Sequence, residues 1–261
     1  GGGGWDADVI STAIEGASTG TGETAIMGLD FNDDGTKLFY INQLTRVLRS
    51  LPLSTPYDPA SIGAVEQTYT IPANTYAFKF ADNGRALYLF INQSGGIVRQ
   101  YPLTTPYDLS TVGAQESAKL IGATGRLYGG FVNNDETKLY IVDNQNDSWQ
   151  QFNFGTPGDL ATIGGAVASG SIPANSNPTG IWLNPEGTRV FVSRSWIADY
   201  IYQYDITDGD LNTAVAPAGN RLTLANIDSG WALAFEPTGR SFVAGDASGG
   251  ELVRYTLPAA P

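Results

Sequence analysis

Reactive side chains are few in this sequence. Its 261 residues include no His and no Cys. That removes disulfides, thiol chemistry, the usual general base and the commonest metal ligand, and it rules out a Ser-His-Asp triad. Carboxylates, amides, Arg and aromatic rings remain. Paired carboxylates can cleave glycosidic bonds without His, and Asp143 with Asp246, or Asp30 with Asp228, are the pairs on offer. Asp30-Phe-Asn-Asp-Asp-Gly35 matches the first half of a calcium loop, where a hard cation takes oxygens at alternating positions. The position of the bidentate Glu in such a loop holds Ile41, so the run reads better as a turn, and no metal or other cofactor is expected. Lys plus Arg is 14 against 26 Asp plus Glu, a formal net charge of −12. An acidic surface repels phosphate backbones, so nucleic acid is not an expected partner. No apolar run approaches the roughly 18 residues that would suggest membrane insertion.

These residues sit in a repeat. Phe31, Phe80, Val132, Leu183 and Phe235 are 49, 52, 51 and 52 residues apart. Each precedes a run of turn formers: Asn32-Asp-Asp-Gly35, Ala81-Asp-Asn-Gly84, Asn133-Asn-Asp-Glu136, Asn184-Pro-Glu-Gly187 and Glu236-Pro-Thr-Gly239. Pro presets φ, Asp and Asn bond nearby backbone, and Gly accepts positive φ. Glu136 breaks the pattern, so that turn is expected to be built differently. An apolar run rich in β-branched and aromatic residues follows each turn, as in Lys37-Leu-Phe-Tyr-Ile41, and reads as a buried strand. A third strand and a weaker fourth follow, as in Val98 to Leu103 and Gln115 to Ile121. Four strands in about 50 residues, repeated, is the signature of a β-propeller blade.

The expected fold is therefore all-β: a five-bladed β-propeller of four-stranded antiparallel blades. The blades are placed at about 26–71, 76–121, 127–172, 179–224, and 230–257 together with 9–17. Trp5-Asp6 lines up with Tyr57-Asp58 and Tyr107-Asp108, so residues 9–17 are expected to supply the strand that the last repeat lacks. Closing the ring in this way removes open sheet edges. Residues 1–8 are read as a linker, 258–261 as a tail, and 9–257 as a single domain. Gly1 to Gly4 look like a flexible linker or a processing scar, which suggests a piece of a longer chain.

The repeat resembles the Ser-Pro-Asp-Gly type of propeller repeat, of the broad YVTN and NHL-like class. Phe31-Asn-Asp-Asp-Gly-Thr-Lys-Leu-Phe-Tyr40 and Leu183-Asn-Pro-Glu-Gly-Thr-Arg-Val-Phe-Val192 carry that likeness. Val98-Arg-Gln-Tyr-Pro-Leu-Thr-Thr-Pro-Tyr-Asp-Leu-Ser-Thr111 is similar to repeats in tailed-phage virion and tail proteins and in secreted proteins of aquatic bacteria. Blade three departs at Glu136 and Gly158. The resemblance implies that the loops between second and third strands share a face with the loops entering each first strand. The first set offers Asn42, Gln43, Asn92, Gln93, Asp143, Asn144, Arg194, Trp196 and Asp246. The second offers Arg126, with Tyr76, Tyr128 and Trp231 at the strand entrances; Trp149 is a further candidate, for ligand or for core. Amides, carboxylates, Arg and rings around a shallow mouth suit a sugar, although ordinary loop and packing roles are the better account of them. Tyr57, Tyr107 and Trp5 are expected on the opposite face, packing blade corners.

Three functions are in view, of which the first is the expected one, and an enzyme is not expected. One is a non-catalytic module in a phage-type virion or tail, or a surface adhesin, at an extracellular or virion surface, binding a cell-surface glycan or a neighbouring subunit. Another is a carboxylate-based glycoside hydrolase. The third is a pure scaffold contacting other subunits of a larger assembly.

Overall fold

A computed structural model describes residues 7–122, 125–172, 177–195 and 198–261. The chain enters through a single 3-10 turn (Ile10–Thr12) and strand β1 (Ile14–Gly20), then lays down five antiparallel sheets in succession. The first holds β2 (Ile26–Phe31), β3 (Lys37–Asn42), β4 (Val47–Pro52) and β5 (Gln67–Thr70). The second holds β6 (Thr75–Ala81), β7 (Ala86–Ile91), β8 (Ile97–Pro102) and β9 (Ser117–Leu120). The third holds β10 (Leu127–Val132), β11 (Lys138–Asp143), β12 (Ser148–Asn153) and β13 (Ala168–Ser171). The fourth has β14 (Pro178–Leu183), β15 (Arg189–Arg194) and β16 (Tyr200–Thr207). Its outer position is shared by two short strands, β17 (Asp210–Val215) and β18 (Arg221–Thr223), both paired with β16. The fifth has β19 (Gly230–Phe235), β20 (Ser241–Asp246) and β21 (Glu251–Thr256), with β1 as its outer strand. This is the five-bladed β-propeller that the repeat predicts.

Ring closure is a strand exchange between the two chain ends. β1 pairs antiparallel with β21, Ile14 opposite Thr256 and Gly20 opposite Glu251. The strand runs from 14 to 20 rather than across the expected 9–17. The reason lies in the corner before it. The carbonyl of Val9 accepts from Thr12 N (3.0 Å) and Thr12 Oγ1 (2.7 Å), as the carbonyl of Asp58 accepts from Ser61 N and Oγ. Val9 therefore stands where Asp58 stands in blade one, three residues later than an alignment on Trp5-Asp6 implies. Trp5 and Asp6 themselves lie outside the described residues. The end segments also hold each other, because Asp8 N donates to the Pro258 carbonyl and Ala7 bridges Ala259.

The turn after each first strand shows how the repeat tolerates an exception. Gly35 and Gly84 have φ of +72° and +86°, and a Cβ on either would run into the ring of Tyr57 or Tyr107 lying over it. In blade three the pair is exchanged. Glu136 takes the left-handed conformation (φ +54°), and Gly158 stands where the tyrosine would. The turn is thus not built differently, since Glu136 N still bonds the Asn133 carbonyl as Gly35 N bonds that of Asn32. What changes is the filling: the Glu136 carboxylate takes the freed space and accepts from the Tyr88 hydroxyl at 2.6 Å.

Neighbouring blades are joined by apolar faces and by a repeated glutamine. Phe39 meets Phe80 at 4.7 Å between ring centroids, and Phe191 meets Phe235 at 4.3 Å. Gln100, Gln151 and Gln203 occupy one position in the third strands of blades two, three and four, and all are buried. Each accepts from the corner of the next blade: from Leu160 N (3.1 Å), Leu211 N (2.9 Å) and Ile10 N (2.9 Å). Blade one has Ser50 at that position, and Gln67 of β5 accepts from Leu109 N instead. Blade five has Arg254, and the corner against β21 begins with Pro59, which has no N–H to satisfy. Replacing Gln151 by Leu should leave a buried N–H without an acceptor and lower the unfolding free energy by about 1–3 kcal/mol. Chemical denaturation beside Gln150→Leu, a half-exposed control, checks this; equal effects from the two would refute the role of Gln151.

Candidate functional site

Five first strands around one axis decide what the centre can hold. Each carries a register shift after its opening residue, and the residue in the shift is Met27, Tyr76, Tyr128, Thr179 or Trp231. Three of these are aromatic and meet across one mouth of the channel. Ring centroids are 4.6 Å apart for Tyr76 and Tyr128, 4.8 Å for Tyr128 and Trp231, and 5.8 Å for Tyr76 and Trp231. Below them lie only small residues: Gly28, Ala77, Gly129, Gly180 and Ala232. A Cβ at Gly129 would come within 2.8 Å of the Gly180 Cα, so the strands approach too closely for anything larger. The axial void is about 20 Å³, room for about one water. The centre is a plug.

The next layer holds an ion pair. Asp30 and Lys79 face each other on adjacent first strands, Lys79 Nζ 3.0 Å from Asp30 Oδ2. Asp30 also accepts from the backbone N–H groups of Phe31 (2.9 Å) and Phe80 (3.0 Å). The ammonium lies over the rings of Trp182 and Phe131, 4.7 and 5.3 Å from their centroids. Burial raises the pKa of Asp30 above its ordinary value, and Lys79 and the two N–H groups offset only part of that rise.

Beyond this layer the channel opens into a cavity of about 480 Å³, on the face that carries the turns between first and second strands. Its floor is Asp30, Lys79, Phe131 and Trp182, and its walls include Tyr57, Tyr107 and Phe235. Asn83, Asn134, Asp33, Asp135 and Glu236 are at the rim. The Tyr107 hydroxyl donates to Asp33 Oδ1 (2.5 Å), and that of Tyr57 to the Asp33 carbonyl (2.6 Å). Burial, then nearby carboxylates, push the Tyr57 phenol up to about 12; burial and the bond to Asp33 push Tyr107 further up. Both phenols thus stay protonated donors. Asn83 and Asn134 tie blades two and three together, through Asn134 Nδ2 to Asn83 Oδ1 (2.9 Å) and Asn83 N to Asn134 Oδ1 (2.9 Å).

The residues singled out from sequence divide into three groups. Tyr76, Tyr128 and Trp231 are brought together, as described, at the mouth opposite this cavity. Several others hold loops in shape. Asn42 Oδ1 accepts from Leu44 N and Thr45 N, and Asn92 Oδ1 from Leu127 N. Asp143 accepts from Gly125 N, Arg126 N, Gln145 N and Asn146, Asp246 from Ser248 N and Oγ, and Asn144 donates to the Pro178 carbonyl. Trp149 is core, edge-on to Tyr204 at 4.9 Å. The remainder stand at the surface: Gln93 and Arg126 are exposed, Gln43 is half-buried, and Arg194 lies over the Tyr200 ring. Trp196 lies outside the described residues.

The calcium-like run is a turn. Asp30 is turned to Lys79, Asp34 accepts from Thr36 N and Oγ1, and Asn32 Oδ1 accepts from Lys37 N, so its oxygens do not converge. Tyr57 and Tyr107 do pack blade corners on the expected face, and they also wall the cavity. Lys79 and Trp182 escaped notice. The signal available was a lone lysine in Phe78-Lys-Phe80, inside an otherwise apolar strand.

No protein-family model and no curated protein sequence matches the chain. Solved structures do. A functionally unknown protein from Desulfotomaculum acetoxidans superposes with a TM-score of 0.57 at 12% identity, over 98% of this chain and 92% of that one. A candidate 6-phosphogluconolactonase from Bacteroides uniformis gives 0.53 at 16% identity, over 84% of this chain and 64% of that one. Hydrazine synthase of Kuenenia stuttgartiensis gives 0.52 at 14%, over 88% of this chain and 58% of that one. The chain thus spans less than two thirds of the length of the latter two. At these identities the likeness is one of fold, a fold that fits binding and structural modules as well as enzymes.

Lys79→Met should cost about 3 kcal/mol in urea unfolding, because it leaves the Asp30 carboxylate buried without a counter-ion. Asp30→Asn with Lys79→Met should recover most of that loss. The pH dependence has a sign. A carboxyl whose folded pKa is raised above the ordinary 3.8 contributes stability fully below that value, and loses it as pH rises through the folded pKa. Asp30→Asn alone should therefore gain stability relative to the unaltered protein as pH rises above the ordinary carboxylate value of 3.8; a relative loss on that rise would show that Lys79 and the N–H groups outweigh burial.

Proposed function

We propose that this chain is a non-catalytic binding module that seats a glycan in the turn-face cavity. In this reading it serves as an attachment component of a phage-type virion or tail, or as a surface adhesin, at an extracellular or virion surface beside other subunits. The observation that carries the reading is the cavity itself. About 480 Å³ is the volume of a small-ligand site, and its mixture of ring faces, phenol donors, amides and carboxylates is what a polyhydroxylated ring requires. The resemblance of the third-strand motif to phage virion and tail repeats supports the attachment context. Of the two pairs offered for a hydrolase, Asp143 and Asp246 are taken up in loop hydrogen bonds, and Asp30 of the other is tied to Lys79. That weighs toward binding over cleavage.

A glycan array tests the reading, with the unaltered protein, Tyr107→Ala and Tyr76→Ala compared on the glycans retained. Losing the Tyr107 ring should weaken binding about tenfold. Tyr76→Ala, at the opposite mouth, should leave affinity unchanged, and thermal melts check that both variants are folded. The reverse pattern would move the seat to the mouth of Tyr76, Tyr128 and Trp231. Retention of no glycan by the unaltered protein would overturn the proposal.

A further inference from the structure

We infer that the saccharide seated in the turn-face cavity carries a free amino group, and that the cavity selects amine-bearing sugars over N-acetylated or uronic-acid ones. The inference rests on the glycan-binding reading above and adds the charge of the ligand to it.

Two independent features of the cavity lead there. One is the imbalance of charge in its lining. Asp30, Asp33, Asp135 and Glu236 face it, while Lys79 is its single cationic side chain among the described residues. Lys79 is already committed to Asp30. None of the ion pairs among the described residues involves Asp33, Asp135 or Glu236. Their described hydrogen bonds leave acceptor capacity to spare. Asp33 takes the Tyr107 hydroxyl on Oδ1, Asp135 takes Thr137 on Oδ1, and Glu236 takes the Thr238 hydroxyl on Oε1. A carboxylate offers about four lone-pair sites. The chain's net charge of −12 adds to the local field. An anionic sugar would meet repulsion from the carboxylates of this rim, and an ammonium would meet attraction.

The other feature is that the floor already accommodates an ammonium. The Lys79 head group lies on the faces of Trp182 and Phe131, at 4.7 and 5.3 Å, which is cation–π geometry. The cavity is thus a setting in which an alkylammonium is held between rings and a carboxylate. Tyr57, Tyr107 and Phe235 supply further rings nearer the rim, beside carboxylates that no side-chain cation covers. Lys79 gives two of its three donors to Asp30 and the Phe80 carbonyl. The third suits a ligand hydroxyl or ring oxygen at depth. The ligand is therefore oriented, with an oxygen toward Lys79 and its amine toward Asp33 and Glu236.

Calorimetric titration with three tetrasaccharides tests this: glucosamine, N-acetylglucosamine and galacturonate oligomers, at about pH 6, where an alkyl amine holds its proton. The glucosamine oligomer should bind about tenfold more tightly than its N-acetylated form, and this advantage should shrink at about 0.5 M salt. Asp33→Asn and Glu236→Gln, both at the rim, should each reduce the ratio of amine to N-acetyl affinity several-fold. Equal affinity for amine and N-acetyl forms, or preference for the galacturonate oligomer, would overturn the inference while sparing the glycan reading. Binding of none of the three, with an empty glycan array, would remove both.

Discussion

The architecture depends on how closely five strands can approach a common axis. A ring of five leaves little space at its centre, and the side chains of the first strands must either be absent there or fill it. The sequence uses both solutions in successive layers. Gly28, Ala77, Gly129, Gly180 and Ala232 let the backbones meet, and Tyr76, Tyr128 and Trp231 cover the mouth above them. A passage through the disc is thereby excluded. The pairing of β1 with β21 ties the two ends of the chain into one blade, so the ring that holds this packing is closed by the chain itself.

The same geometry explains why blades join by specific polar links as well as by apolar contact. Wedge-shaped interfaces bury backbone N–H groups at each corner turn, and a buried donor needs an acceptor. Gln100, Gln151 and Gln203 supply one across the blade boundary, and where the corner starts with Pro59 there is no such demand. The exchange of Gly35 with Tyr57 for Glu136 with Gly158 follows the same logic. In blades one to three a side chain from one partner fills the space between turn and corner, whereas in blade four Gly187 faces Gly209 with no side chain between them.

Much of this fold was legible from the repeat, because turn formers and apolar runs at spacings of 49–52 residues are local signals. The closing strand was legible as well, but its bounds were not. A corner turn anchored by Val9 carries none of the Asp side chain that marks Asp58, Asp108 and Asp159. The division of the fourth blade's outer strand into β17 and β18 has no signature in the repeat either. The site was less legible. Loop residues such as Asp143 and Asn42 look available in a sequence, yet their acceptors are taken by backbone N–H groups of their own loops. The cavity is invisible to local reading because its residues come from different blades, and their proximity is a property of the ring.

Departures from the repeat, rather than the repeat, mark where this molecule has a specific character. One position before the anchor phenylalanines and their aliphatic counterparts, the five blades carry Asp30, Lys79, Phe131, Trp182 and Ala234. The anchors themselves are alike and buried, as packing demands. The preceding layer has no such uniformity: it combines an anion, a cation, two rings and a methyl group around a single point. Pure packing at that depth would be served by apolar residues, since a buried ion pair seldom stabilises more than the hydrophobic residues that could replace it. A polar and aromatic layer therefore costs the fold something, and it forms the floor of a cavity of about 480 Å³. The layer beyond it widens toward solvent with Tyr57 and Tyr107 on one side and Gly158 and Gly209 at the matching corners. The asymmetry thus extends from floor to rim on one face, whereas the opposite mouth is sealed by aromatic contact, and this difference sets the turn face apart as the one with open volume at the axis.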